Sequence, residues 1–290
     1  MATRVALLGL GLMGRPMGHN LLKKGFPLTV WNRTAGRANE LVAAGARRAG
    51  TAREAAAQAE VVITMVSDPP ALEGVLWGAD GVLAGLKPGS VLVDSSTVAP
   101  ALARRVAAAS AERGCEFLDA PVTGGTWGAE RGELVFMVGG KAEVLERVAP
   151  VLGAMGRQWF HLGAHGAGQT IKLATNLILA LQTVATAEAL ALVRGAGIPG
   201  EKLAEVMQAS MGRSKLIDIK LPMMLEGRYT PSFPLRLMNK DMGLALELAA
   251  QSGVKMPGAA AAREVMSAVE RTAKEDLDYA ALARFWDKSK

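Results

Sequence analysis

The chain has 290 residues, half of them hydrophobic and 21% charged, which excludes a disordered or fibrous protein and, at roughly 100 to 200 residues per domain, favours two domains. Its single cysteine, Cys115, excludes an intrachain disulfide framework or a cysteine-built metal centre and fits a reducing compartment. The formal charge is +6, but the basic residues are scattered and only 4% of the chain is aromatic, so neither a nucleic-acid arm nor a base-stacking platform is expected.

Six β-type runs begin at Val5, Leu28, Val61, Ser90, Glu116 and Leu134, and alanine-rich helical segments separate them. Runs this apolar, alternating with helices, predict a mostly parallel, doubly wound sheet covered on both faces. This gives an α/β fold with a first domain over residues 1–162. The apolar stretch from Met1 to Gly14 is broken by three glycines and has no small-residue cleavage site, so it is not read as a signal peptide.

Beyond Leu162 the β-type runs stop. Helices are predicted over 166–195, 200–210, 236–252, 257–273 and 278–287, punctuated by Pro222, Pro231, Pro234 and Pro257, so residues 163–290 form an all-helical second domain. The least charged segment, Leu173 to Val193, contains Thr175, Asn176, Gln182, Thr183, Thr186 and Glu188, which would be costly against lipid. It is predicted to be a buried helix of a soluble, cytoplasmic protein with no membrane partner.

The first predicted strand runs into Gly9-Leu10-Gly11-Leu12-Met13-Gly14, then a helical stretch and a second strand, which is the context a dinucleotide-binding turn requires. The first glycine serves the tight turn, the second the approach of a pyrophosphate, the third helix packing, and the phosphates meet a helix N-terminus. At the end of the second strand, where NAD-binding domains place an acid, stands Asn32-Arg33-Thr34. Arg33 can pair with a 2′-phosphate, with Asn32 and Thr34 as further donors, so NADP is the expected cofactor.

Between Arg157 and Glu188 the only formally charged side chain is Lys172, and Asn176 lies four residues on, on the same helical face. A buried lysine is seldom without a partner or a function, and burial favours exchange of its proton with a substrate oxygen. Thr123-Gly124-Gly125, closing the segment from Asp119, suits backbone N–H groups approaching an anionic group. The segment Ser232–Asp241 opens a helix, and its adjacent Lys240 and Asp241 read on their own as a solvated charge pair. His161 and His165 are separated by Gly163 and lack an acidic third ligand, so no metal site is expected, and Cys115 is read as a core thiol.

Taken together, these residues resemble the β-hydroxyacid dehydrogenase family, which includes 3-hydroxyisobutyrate dehydrogenases and glyoxylate/succinic semialdehyde reductases. The resemblance spans essentially the whole chain: Gly9 to Met17, the loop Asp119–Gly125 with Gly128-Ala129, and the signature Gly166, Gly168, Lys172, Asn176. It implies an N-terminal Rossmann domain, an active site in the cleft before a helical domain, and oligomerisation through the helical half as a homodimer or homotetramer. It also implies that Lys172 is the acid/base, Asn176 orients the substrate, and Thr123, Gly124 and Gly125 hold its carboxylate. Ser96 and Thr97 would lie near the nicotinamide with Phe233 and Lys240 closing over it, and Met65, Val66 and Ser67 would border the adenosine. Asn32-Arg33-Thr34 and Ser67-Asp68-Pro69 look most like the NADPH-using semialdehyde reductases, although Thr123 and Gly125 depart from that subgroup. The implied substrate is a small anionic oxo-acid or hydroxy-acid. An imine reductase, whose members typically carry aspartate or tyrosine at the position of Lys172, and a non-catalytic NADP-binding scaffold are the alternatives.

Overall fold

The computed structural model describes residues 2–287. The chain divides into two compact units, the first ending at Lys172 and the second beginning at Leu173, so the division falls inside the long helix Ala167–Gly195.

In the first unit the strands are β1 (Val5–Leu8), β2 (Leu28–Trp31), β3 (Arg47–Arg48), β4 (Val61–Thr64), β5 (Val91–Asp94), β6 (Glu116–Asp119), β7 (Val122–Thr123), β8 (Leu134–Val138) and β9 (Gly156–His161). Six of them form one parallel sheet in the order β3-β2-β1-β4-β5-β6. Every residue of β1, β4 and β5 is buried, because helices cover both faces of a parallel sheet and leave neither open to solvent. Successive residues serve opposite faces: Val5 and Leu7 belong to one hydrophobic cluster, with Val30, Ile63 and Val93, while Ala6 and Leu8 belong to another, with Val62, Leu92 and Phe117.

Two β-type runs behave differently from the sequence reading. The run from Glu116 is not one strand: it breaks at Ala120-Pro121, where proline cannot donate to a ladder, into β6 of the large sheet and the short β7. The run from Leu134 leaves the large sheet altogether, since β8 pairs antiparallel with β7 and parallel with β9 in a separate three-stranded sheet. The short β3 and the edge strand β9, whose residues after Gly156 are exposed, had no apolar run to announce them.

In the second unit the long helix is followed by Gly200–Ala209, Lys215–Glu226, Leu235–Gln251 and Pro257–Thr272. The Lys215–Glu226 helix was not predicted. Pro222 lies inside it, where a proline read from sequence alone marks a boundary. The last predicted helix is a 3-10 turn over Tyr279–Phe285. Ala180, Met238, Met242, Met266 and Leu282 are at the centre of one hydrophobic cluster. The long helix is not buried throughout, as its composition had suggested: Ile178 is 59% and Leu192 75% exposed, whereas Asn176 and Thr183 face inward.

Candidate active site

Strand order reverses at β1 and β4, and in open α/β sheets ligands bind outside the C-terminal ends of the strands flanking that point. The glycine turn leaves β1 there. Gly9 has φ of +95°, and a Cβ on it would lie 2.2 Å from the Met65 carbonyl oxygen; one on Gly14 would lie 1.9 Å from the Gly9 oxygen. Gly11 has nothing within 4 Å of such a Cβ. Two glycines are thus required by the chain itself, whereas the second opens onto free space of the kind a pyrophosphate needs, so the turn fits a dinucleotide. The following helix, Gly14–Lys23, has no side-chain cap and no acid in its first turn, which suits an anion.

Asn32 does not point freely at a ligand. Its Oδ1 accepts the Leu10 N–H at 2.9 Å and its Nδ2 donates to the Thr34 carbonyl at 3.0 Å, so most of its hydrogen-bonding capacity goes into ordering the turn. Arg33 and Thr34 are exposed beside it. Met65 and Val66 are half-buried and Ser67 exposed after β4, and the Val66 N–H donates to the Ser96 hydroxyl at 3.0 Å, tying the ends of β4 and β5 together. Asp94 closes β5 fully buried; its Oδ1 accepts from the Thr64 hydroxyl and the Ser96 N–H, and burial pushes its carboxyl up to about 6 against those bonds. Thr97 is half-buried next to it.

Thr123 is half-buried at the end of β7, followed by Gly124 at φ +126° and Gly125 at φ +60°. Two consecutive positive-φ residues need glycine and open the short helix Gly125–Arg131.

The sequence marks Asp119 only as the start of this loop. Its buried side chain instead holds the beginning of the lysine helix: Oδ1 accepts the Gly166 N–H at 2.8 Å and Oδ2 the Gln169 N–H at 3.0 Å. Burial raises its carboxyl, and these two bonds oppose the rise. A Cβ on Gly168 would lie 2.3 Å from the Met137 oxygen, so this glycine lets the helix start close to the sheet, while Gly166, at φ of +92°, needs glycine for its backbone. One turn on, Lys172 is 7% exposed.

In the second unit Asn176 is 2% exposed, and its Nδ2 donates to Asp241 Oδ2 at 2.6 Å. Asp241 is itself 1% exposed, with Lys240 Nζ 3.0 Å from Oδ1. Lys240 and Asp241 are therefore not a solvated pair: the helix Leu235–Gln251 turns Asp241 inward, a placement set by tertiary packing. The Phe233 N–H donates to Asp278 at 3.1 Å, fixing the turn ahead of that helix. His161 and His165 are each bonded to a backbone carbonyl, of Gly140 and Phe117, and Cys115 is buried.

Residues 4–163 match the NAD-binding domain of 6-phosphogluconate dehydrogenase, and residues 166–286 match the domain described as NAD-binding of NADP-dependent 3-hydroxyisobutyrate dehydrogenase. The chain is 40% identical to the NAD-dependent L-serine dehydrogenase of Pseudomonas aeruginosa over 98% of each chain. The chain belongs to the β-hydroxyacid dehydrogenase family. It shares 35% identity with glyoxylate/succinic semialdehyde reductase 1 of Arabidopsis thaliana, over 96% of each. Among solved structures, the Mycobacterium tuberculosis 3-hydroxyisobutyrate dehydrogenase with L-serine is 34% identical with a TM-score of 0.90, covering 99% of this chain and 100% of that one. As a β-hydroxyacid dehydrogenase the protein is an oxidoreductase of small hydroxy acids with a nicotinamide cofactor.

Proposed function

We propose that the protein transfers hydride between NADP(H) and a short oxo-acid/hydroxy-acid pair of the glyoxylate, succinic semialdehyde or 3-hydroxyisobutyrate type, with Lys172 as general acid/base. The observation that carries this reading is the burial of Lys172 one turn into a helix whose start is pinned by Asp119 through Gly166 and Gln169.

When bound, the reduced cofactor supplies the hydride for the carbonyl carbon. Gly9, Gly11, Leu12, Met13 and Gly14 hold its pyrophosphate; Met65, Val66 and Ser67 border the adenosine, and Ser96, Thr97 and Phe233 the nicotinamide. Arg33 pairs with the 2′-phosphate. Asn32 helps by ordering the turn and by placing no carboxylate there to repel the phosphate. Thr123 with the Gly124 and Gly125 N–H groups holds the substrate carboxylate, Lys240 adds a cation, and Asn176 orients the substrate. Lys172 Nζ gives its proton to the oxygen as it becomes an alkoxide and recovers one from solvent; oxidation reverses both transfers. General acid help of this kind supplies ~10²- to 10⁴-fold.

The functional unit in this reading is a cytoplasmic homodimer or homotetramer. Ile178, Ala185 and Leu192 recur at heptad spacing along one exposed face of the long helix, a seam that fits a second copy of the same helix. A panel of glyoxylate, succinic semialdehyde, 3-hydroxyisobutyrate, L-serine and a cyclic imine, each with NADP(H) and NAD(H), tests the assignment. An oxo-acid or hydroxy-acid should be turned over best; preference for the imine would overturn it.

A further inference from the structure

The Gln169 side chain, on the lysine helix, reaches another part of the first unit through two backbone bonds. Its Nε2 donates to the Ser96 carbonyl at 2.8 Å and its Oε1 accepts the Val98 N–H at 3.0 Å. It is fully buried, and its own N–H is held by Asp119 Oδ2 at 3.0 Å. A primary amide fits this place, since it offers a donor and an acceptor in one plane to a peptide carbonyl and a peptide N–H.

The segment it grips is the turn after β5. Ser96 there accepts the Val66 N–H from the end of β4, and Asp94 Oδ1 gathers the Thr64 hydroxyl and the Ser96 N–H. A continuous buried chain of hydrogen bonds thus runs from the ends of β4 and β5 through Ser96 to Gln169, three residues before Lys172. Removing a member of a buried network of this kind is costly.

We propose that Gln169 is a positioning residue that fixes the helix bearing Lys172 against the Ser96–Val98 turn, and so sets the distance from proton donor to cofactor seat. The inference rests on the reading that Lys172 is the acid and that Ser96 and Thr97 border the nicotinamide. Gln169 touches no reacting atom. Its effect is on alignment, where a displacement near 1 Å costs about 10²-fold in rate. In the proposed reading pyrophosphate is held by the β1 turn and adenosine is bordered by Met65, Val66 and Ser67, none of which the Gln169 amide bonds, so cofactor affinity should change less than the rate.

Gln169→Met keeps the length and loses both bonds; Gln169→Glu keeps an acceptor for Val98 and loses the donor to Ser96. Each variant, loaded with the cofactor it binds more tightly, in the reduced form for an oxo-acid or the oxidised form for a hydroxy-acid, is mixed rapidly with the best substrate of the panel, and the single-turnover rate constant and amplitude are read separately. The rate constant does not depend on the folded fraction, whereas a residue needed only for folding would lower the amplitude. Gln169→Met should lower the rate constant about 10- to 100-fold and leave the cofactor dissociation constant within about threefold, with Gln169→Glu between it and the unmodified protein. Should the Met variant fail to fold, the Glu variant is judged on the same rate constant. Lys172→Ala is run alongside: an unchanged rate constant there rejects the acid assignment, whereas rate constants within about twofold of the unmodified protein in the Gln169 variants overturn the positioning role alone.

Discussion

Asn176 and Asp241, 65 positions apart in the chain, are joined by a 2.6 Å hydrogen bond with neither side chain more than 2% exposed. The bond fixes the Asn176 amide, because a carboxylate accepts only and so dictates that Nδ2 faces it. Removing the acid leaves a buried amide donor unpaired. Asp241→Ala is expected to lower unfolding stability by about 1–3 kcal/mol and to reduce kcat, checked by urea denaturation beside steady-state kinetics.

Lys172→Ala should leave NADPH affinity nearly unchanged while kcat falls by about 10² or more. The pH profile of kcat/KM should lose the limb that reports the lysine. Turnover close to that of the unmodified protein would make Lys172 a structural residue.

For the cofactor, Arg33→Ala should weaken NADPH binding by about 1–3 kcal/mol and spare NADH, the scale of a charge-assisted hydrogen bond. Titration of protein fluorescence with each cofactor reads the two affinities directly. Equal losses would remove Arg33 from the 2′-phosphate site.

Asp94 gives a pH dependence of defined sign. Its carboxyl lies at about 6 in the fold against an ordinary 3.8, so between those values the folded protein binds the proton the unfolded chain has lost. Stability from this group therefore falls as pH rises through the window, and above it the buried carboxylate costs roughly 3 kcal/mol. Asp94→Asn keeps an acceptor for Thr64 and Ser96 without the charge. The Tm difference, variant minus unmodified protein, should be larger near pH 8 than near pH 4; a difference independent of pH would contradict the assignment.

Charges placed on the exposed seam should separate copies of the chain. Ile178→Glu with Leu192→Glu is expected to shift the mass measured by light scattering toward the 30.3 kDa of one chain. A monomeric unmodified protein with full activity would dispose of the seam.

Much of the first unit was legible because parallel strands buried on both faces must be largely apolar, and the runs at Val5, Leu28, Val61 and Ser90 are. Strand β9 was not, since Arg157, Gln158 and His161 are exposed on a sheet edge and need no apolar pattern. The tight glycine turn and the burial of Lys172 could be read because their signals are local: a φ, a spacing, a lone charge. Gln169, Asp94 and Asp241 could not, because each matters through a partner far away in the chain, and nothing in their neighbours' sequence marks the pairing.

The glycines at positions 9, 11 and 14 answer to different selective filters. A side chain at Gly9 or Gly14 collides with the backbone of the turn itself, so the fold alone retains both whether or not the protein keeps its chemistry. A Cβ on Gly11 would meet nothing of the chain within 4 Å, so on the proposed reading it is the ligand that guards this position. In a lineage that drifted from enzyme to scaffold on this fold, Gly11 is where the loss would first be recorded, with Gly9 and Gly14 preserved on either side as the imprint of a binding turn no longer in use.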